Sequence, residues 1–261
     1  MRNSGETGVD LTAEELERYQ RQILLAPFGQ VGQARLKAAH VLVAGVGGLG
    51  SPVAMYLCVS GVGTLTVVDA DVVSLSNLNR QLLHWESDIG AKKVDSARGK
   101  LVEMNPRAHV EAIGERITRE TVPSMLKGVD VVVDCLDNMA SRYILNQACV
   151  DAGIPLIHGG VYGMMGQLTT IIPGKTPCLE CIFPRKEETD QGPIPVFGPT
   201  AGMIASLQAL ETIKLLSGVG KLLAGRLLYF NGQEMECIMV DVQTRDTCPI
   251  CGGVGAKEGM M

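Results

Sequence analysis

The feature that most constrains this chain is a glycine turn, Gly45-Val46-Gly47-Gly48-Leu49-Gly50, set between two apolar runs. Val41-Leu42-Val43-Ala44 reads as a strand entering the turn, and Ser51 to Ser60 as the helix leaving it. A second strand, Thr64 to Val68, ends in Asp69-Ala70-Asp71, which puts an acid roughly twenty residues beyond the turn. Glycines allow the backbone close to a phosphate, the helix N-terminus offers free N–H groups, and the acid accepts from ribose hydroxyls. Gly45, Gly47, Gly48, Gly50, Asp69 and Asp71 are therefore expected to bind a nucleotide; the competing reading is that the glycines only shape a tight turn. Residues 41–68 carry no charge and imitate a membrane span. Their glycine clusters, including Gly61-Val62-Gly63, and the β-branched runs at both ends read instead as strand, turn, helix, turn and strand buried on both faces.

The alternation continues downstream. Helices are expected at Lys92–Met104 and Ser141–Ala152, and strands at His109–Ile113, Asp130–Asp134, Pro155–His158 and Gln167–Ile172. This rhythm predicts an α/β fold, a Rossmann-like doubly wound and mostly parallel sheet through about residue 160. Beyond it, Pro184–Pro199 reads as a long loop and Ala201–Leu216 as a helix with Ile204, Leu207, Leu210 and Ile213 on one stripe. Arg226–Phe230 and Met235–Val240, joined through Asn231-Gly232, predict an antiparallel extension of the same sheet. Near the N-terminus, Thr12–Leu25 is expected as one helix, with Thr12 and Glu15 forming a capping box. The expected organisation is one domain over 12–251, divided into a nucleotide-binding half (about 12–160) and a second half (about 161–251), with flexible ends at 1–11 and 252–261.

Composition narrows the partners. A formal net charge of −5 argues against a dedicated nucleic-acid binder, which needs basic surface to displace counterions, but not against a local anion site. Met1 to Asp10 is polar and offers no secretory core, so the expected location is cytoplasmic, with no membrane.

The nucleotide's identity turns on the stretch after Asp69. Asn77 and Arg80 offer an amide and a guanidinium fork, Gln81 follows them, and Lys93 lies near a helix start. Two cations and an amide over one nucleotide suit a triphosphate better than the diphosphate of NAD. Asp134-Cys135-Leu136-Asp137-Asn138 stands at the carboxyl end of a central strand, where open sheets bind ligands. Asp137 there is a natural Mg²⁺ ligand beside a triphosphate, with Asn138 adjacent; the competing reading is that either residue caps the next helix. Gly174-Lys175-Thr176 imitates a Walker motif, but Thr169 occupies the first glycine position and Pro177-Cys178 stands where a helix should begin.

Arg18-Tyr19-Gln20-Arg21-Gln22, the GVGGLG turn, SLSNLNRQ, GAKKVDSAR and DCLDN, in this order, resemble the ThiF/MoeB/HesA group of the ubiquitin-activating-enzyme superfamily. The resemblance spans about Tyr19 to Cys251. It implies a homodimeric adenylyltransferase that uses ATP·Mg²⁺ and a small ubiquitin-like sulfur carrier ending in Gly-Gly. The carrier carboxylate attacks the α-phosphate, giving an acyl-adenylate and pyrophosphate. Asp69 would hold the ribose, Asn77, Arg80 and Lys93 the phosphates, and Asp137 the Mg²⁺, while Arg21 would reach the neighbouring subunit's ATP. Positioned cations carry such a reaction because negative charge spreads over the phosphoryl oxygens. His158 reads as structural, and Gly159-Gly160 beside it as room for an extended tail.

Cys178-x-x-Cys181 and Cys248-x-x-Cys251 form duplicate pairs that can converge on a structural zinc, as the resemblance also implies. No cysteine lies between Cys181 and Cys237, where some relatives carry one for a covalent step; Cys58, Cys135 and Cys149 read as core thiols. The expectation is an enzyme that stops at the acyl-adenylate and relies on a separate sulfur donor. An NAD-dependent oxidoreductase and a silent scaffold for a ubiquitin-like partner are the alternatives. The first leaves the cysteine pairs, Arg21 and the Asn77/Arg80 cluster without a purpose.

Overall fold

The structure is a computed structural model describing residues 9–185, 192 and 194–252; the expected flexible ends, for the most part, and the middle of the Pro184–Pro199 loop lie outside these residues. Helix α1 (Ala13–Arg18) starts with the anticipated capping box: Glu15 N donates to Thr12 Oγ1 at 3.2 Å and Thr12 N to Glu15 Oε2 at 2.8 Å. The helix does not run to Leu25. Tyr19 leaves helical geometry at φ −99° and ψ 11°, and α2 (Gln20–Ile23) follows as a separate helix. The cause is burial of the Tyr19 ring, whose hydroxyl accepts from Asn105 Nδ2 at 2.9 Å. Helix α3 (Gly29–Ala38) was not expected, because its mixed sequence GQVGQARLKA shows no apolar stripe.

The alternating section then runs β1 (His40–Ala44), α4 (Gly50–Val59), β2 (Thr64–Val68), α5 (Lys93–Met104), β3 (His109–Ile113), α6 (Val122–Met125), β4 (Val131–Asp134), α7 (Met139–Ala152) and β5 (Leu156–Tyr162). It is followed by β6 (Met165–Ile171), α8 (Leu179–Ile182), α9 (Gly198–Ser217), β7 (Arg226–Asn231) and β8 (Glu236–Asp241). All eight strands form one sheet in the order β3-β2-β1-β4-β5-β6-β7-β8. Pairing is parallel from β3 to β5 and antiparallel from β5 to β8, as the change of rhythm near residue 160 predicts.

Alternate residues of the central strands feed two cores. Val41, Val43, Val131 and Val133 join the face covered by α4, α5 and α9, while Leu42, Ala44 and Val132 join the face covered by α6 and α7. That two-sided burial explains why these strands read as continuous apolar runs, each fully buried aliphatic side chain contributing about 2 kcal/mol. The stripe expected on α9 is displaced: Ile204 is buried, but Leu210 is half exposed, while Gln208, Glu211 and Thr212 are buried. Gln208 and Glu211 are buried because they satisfy polar groups of the sheet and the segment before β7, while Thr212 Oγ1 donates to Gln208 O within α9 at 2.8 Å. Gln208 Nε2 donates to Asp134 O at 2.8 Å, and Glu211 Oε2 accepts from Leu223 N at 2.8 Å and Thr170 Oγ1 at 2.6 Å.

Strand order reverses between β1 and β4, so the chain leaves these neighbours in opposite directions and opens a crevice at their carboxyl ends.

Candidate active site

A cleft of about 760 Å³ occupies this crevice. Gly45, Gly47, Gly48, Asp69, Asp71, Arg80, Gln81, Lys93, Asp137 and Asn138 all line it, so five separate segments of the chain converge there. The glycine turn needs glycine at two points. Gly45 has φ +90°, and a Cβ on it would lie 2.8 Å from Cys135 O; a Cβ on Gly50 would lie 1.8 Å from Gly45 O. Gly50 is thus required for the first turn of α4 to pack against the strand end, and it does not line the cleft.

Asp69 faces the cleft while its Oδ2 accepts from Val46 N at 2.9 Å and its Oδ1 from Asp71 N at 2.9 Å, so its carboxylate is held in one orientation. Lys93 is almost fully buried, with Nζ 2.9 Å from Asp71 Oδ2 and 4.0 Å from Asp69 Oδ2. Arg80 donates to Ser76 O at 2.8 Å and Asn79 Oδ1 at 2.9 Å. Asn77 does not line the cleft: its Oδ1 accepts from Ser74 N at 3.1 Å, and its carbonyl accepts from the backbone of Arg80 and Gln81. It shapes the turn that presents both residues.

The two readings of Asp137 and Asn138 separate clearly. Asn138 Oδ1 accepts from Ser141 N at 2.9 Å and caps α7. Asp137 is exposed in the cleft, where its Oδ1 accepts from Asn138 Nδ2 at 3.3 Å, and its carboxylate remains accessible to a ligand. Arg21 is exposed on α2 and does not line the cleft of its own chain.

Sequence reasoning missed two parts of the site. Glu115, Arg116, Ile117 and Thr118 close the cleft after β3, without any motif to mark them. Arg142 enters from α7, donating to Leu136 O through Nε at 3.1 Å and to Gly159 O at 3.0 Å, with Asp134 Oδ2 3.7 Å away. Asp134 is fully buried, 2.7 Å from His158 Nδ1. Burial raises its pKa, but Arg142, then His158 and the Leu136 N–H, overrule this and hold it below the usual carboxylate value. His158 thus fixes the Asp134 carboxylate, whose Oδ1 accepts from Leu136 N at 3.1 Å in the loop that carries Asp137. The room expected at Gly159-Gly160 is filled by the protein itself, since a Cβ on Gly159 would lie 2.4 Å from Gln208 and one on Gly160 2.9 Å from Gln167.

Away from the cleft, the ligand atoms of Cys178, Cys181, Cys248 and Cys251 all lie within 4.8 Å of one another, and the four residues are buried. Cys178 Sγ is 3.7 Å from Cys248 Sγ and Cys181 Sγ 3.4 Å from Cys251 Sγ. A tetrahedral zinc with bonds of about 2.3 Å needs sulfurs about 3.8 Å apart. The surroundings also suit thiolates. Asn146 Nδ2 and Arg245 Nε are buried donors without a partner, and their side chains already hold Leu179 N and Glu180 O beside the first pair. Arg245 N donates to Cys181 Sγ at 3.4 Å. Burial raises the Cys178 and Cys251 thiols, whereas at Cys248 the N–H groups of Cys251 and Ile250 outweigh burial and bring it down to about 7. The set fits a metal ion. Burial pushes Cys58 up to about 11 and Cys149 higher still, which marks them as inert core thiols; Cys237 is exposed on β8.

Residues 19–250 match the ThiF family. The chain is 42% identical over 256 residues to the SAMP-activating enzyme E1 of Haloferax volcanii, covering 96% of this chain and 94% of that one. It is 42% identical over 257 residues to the adenylyltransferase and sulfurtransferase MOCS3 of Drosophila willistoni, covering 96% of this chain but 56% of that protein. Among solved structures, E. coli MccB with ATP is similar at a TM-score of 0.79 and 26% identity, covering 90% of this chain and 74% of that one. Fold, cleft and relatives define an adenylyltransferase built on a Rossmann-like sheet. The chain belongs to the ThiF family. Among the described residues, no helix is long and apolar enough to cross a membrane.

Proposed function

We propose that this enzyme adenylates the C-terminal Gly-Gly carboxylate of a small ubiquitin-like sulfur carrier, using ATP·Mg²⁺. The observation that carries the reading is the convergence of the glycine turn, Asp69, Arg80, Lys93 and Asp137 on one cleft at the strand reversal. In this reading Asp69 binds the ribose hydroxyls, and the N–H groups at the start of α4 receive phosphate oxygens. Arg80 and Lys93 exchange their present oxygen partners for the phosphates, as Asn77 holds Arg80 in place. Magnesium, held by Asp137, neutralises phosphate charge when bound. The carrier carboxylate is already an anion at pH 7 and needs no general base. Attack at the α-phosphate expels pyrophosphate, and the cations stabilise the charge that spreads over the phosphoryl oxygens.

Arg21 completes the site of a neighbouring subunit in a homodimer. Its exposure outside its own cleft supports this, as do the exposed apolar residues Leu24, Leu25 and Val31 nearby in the chain. Residues 12–160 serve the nucleotide and 161–251 the carrier and a structural zinc. The reading puts the enzyme in the cytoplasm, where thiols stay reduced.

No thioester step is needed. Cys237 is the exposed cysteine, and it lies on β8 at the far end of the sheet order from β1 and β4. A separate sulfur donor then converts the adenylate. Intact-mass analysis tests this: the carrier should gain one AMP, with no adduct on the enzyme. A thioester or disulfide between enzyme and carrier, lost with Cys237→Ser, would contradict it.

A further inference from the structure

Behind the glycine turn lies a buried polar chain that the proposed reaction does not use. His84 is 3% exposed, with Nε2 2.9 Å from Val46 O and Nδ1 2.9 Å from Ser96 Oγ. A carbonyl only accepts, so Nε2 carries the proton and donates. With Nε2 donating, Nδ1 of neutral His84 is the acceptor that faces the Ser96 hydroxyl, which also has Asp88 Oδ2 at 3.0 Å and Leu83 O at 3.3 Å within reach. Ser96 Oγ in turn accepts from Lys100 Nζ at 3.0 Å, and Lys100 is ion-paired with Asp88, which also accepts from Trp85 N at 2.7 Å.

Val46 is held from both sides. Its N–H donates to the cleft carboxylate Asp69, while its carbonyl accepts from His84 and, at 3.1 Å, from Ser51 Oγ. The peptide from Val46 to Gly47 is planar and trans, so fixing its C=O against the interior turns the Gly47 N–H the opposite way. Gly47 lines the cleft.

We propose that His84, as its Nε2–H tautomer, is a positioning residue that aims the Gly47 N–H at a nucleotide phosphate, with Ser96, Asp88 and Lys100 fixing that tautomer. The proposal rests on the reading that the cleft binds a nucleotide triphosphate. Its charge environment agrees. Burial holds His84 below the ordinary histidine value, against the Val46 carbonyl; Lys93 and Lys100 add to the lowering, and Asp69 opposes it.

Phosphate and nucleoside affinities separate this role from general loosening of the fold. His84→Phe should weaken ATP·Mg²⁺ binding, measured by calorimetry, about tenfold, the worth of one hydrogen bond. Adenosine, which has no phosphate, should bind with its affinity unchanged. His84→Gln, which restores a donor at a similar reach, should recover most of the ATP affinity. Ser96→Ala, which keeps the imidazole but frees its tautomer, should shift ATP affinity in the same direction with adenosine again unaffected, and serves if His84→Phe fails to fold. Equal weakening of ATP and adenosine would overturn the proposal, as would unchanged ATP binding in both His84→Phe and Ser96→Ala. A wild-type protein that binds neither ligand would instead overturn the nucleotide reading on which the proposal depends.

Discussion

Asp137 and Asn138 are adjacent, both polar and both at the start of α7, yet they should respond to mutation in opposite ways. Asn138 makes the 2.9 Å cap to Ser141 N, so Asn138→Ala removes a satisfied N-cap. That loss costs about 1 kcal/mol, or about 2 °C in Tm for a chain of this size. Asp137 makes no cap and is exposed in the cleft, so Asp137→Ala should leave stability within about 0.5 kcal/mol. In the proposed site it is the ligand through which Mg²⁺ reaches the phosphates, and its loss should lower adenylation at least about 100-fold, the scale for removing one stabilising group. Urea denaturation measures the first quantity and carrier-dependent AMP formation the second. A destabilised Asp137→Ala that retained substantial turnover would refute the assignment, and so would a stable Asn138→Ala.

Three further outcomes are expected. Asp134 and Asp88 hold folded-state values below the ordinary 3.8, because Arg142 and Lys100 respectively outweigh burial. Their stabilisation is complete above that ordinary value and is lost as pH falls through the depressed ones; urea midpoints should therefore decline on acidification below about pH 4, and less so in Asp88→Asn. Stripping the metal with a chelator should lower Tm and release one zinc per chain, read by a colorimetric indicator; an unchanged Tm and no zinc would remove the metal from the account. Arg21→Ala mixed with Asp137→Ala should recover part of the activity that each lacks alone, since one hybrid site is intact; no recovery would favour a role within one chain.

The parallel section was legible because apolar runs, glycine turns and strand-end acids are local signals. Thr64–Val68 falls where the pattern puts it because it is buried on both faces, and His109–Ile113, an edge strand with His109 and Glu111 exposed, falls where its position in the alternation puts it. The break at Tyr19 was not legible, because its partner Asn105 lies 86 residues away. The face of α9 was misread for a related reason. Its buried positions include Gln208 and Glu211, which bond groups distant in the chain, and Thr212, which bonds back to Gln208; none carries an apolar signature. Most residues named from motifs line the cleft, but the sequence did not show which of them shape the backbone instead. Gly50 and Asn77 shape the backbone rather than line the cleft, and Arg142 and the 115–118 segment line it without belonging to any motif. Gly159 and Gly160 were read as open space because sequence alone does not reveal that Gln208 and Gln167 fill it.

The central claim is carboxylate adenylation, and pyrophosphate–ATP exchange tests it most directly. Purified enzyme should exchange labelled pyrophosphate into ATP only when a small carrier ending in Gly-Gly is present, and Arg80→Ala should abolish the exchange. No exchange with any such carrier, from protein that retains its metal and binds ATP, would contradict the account.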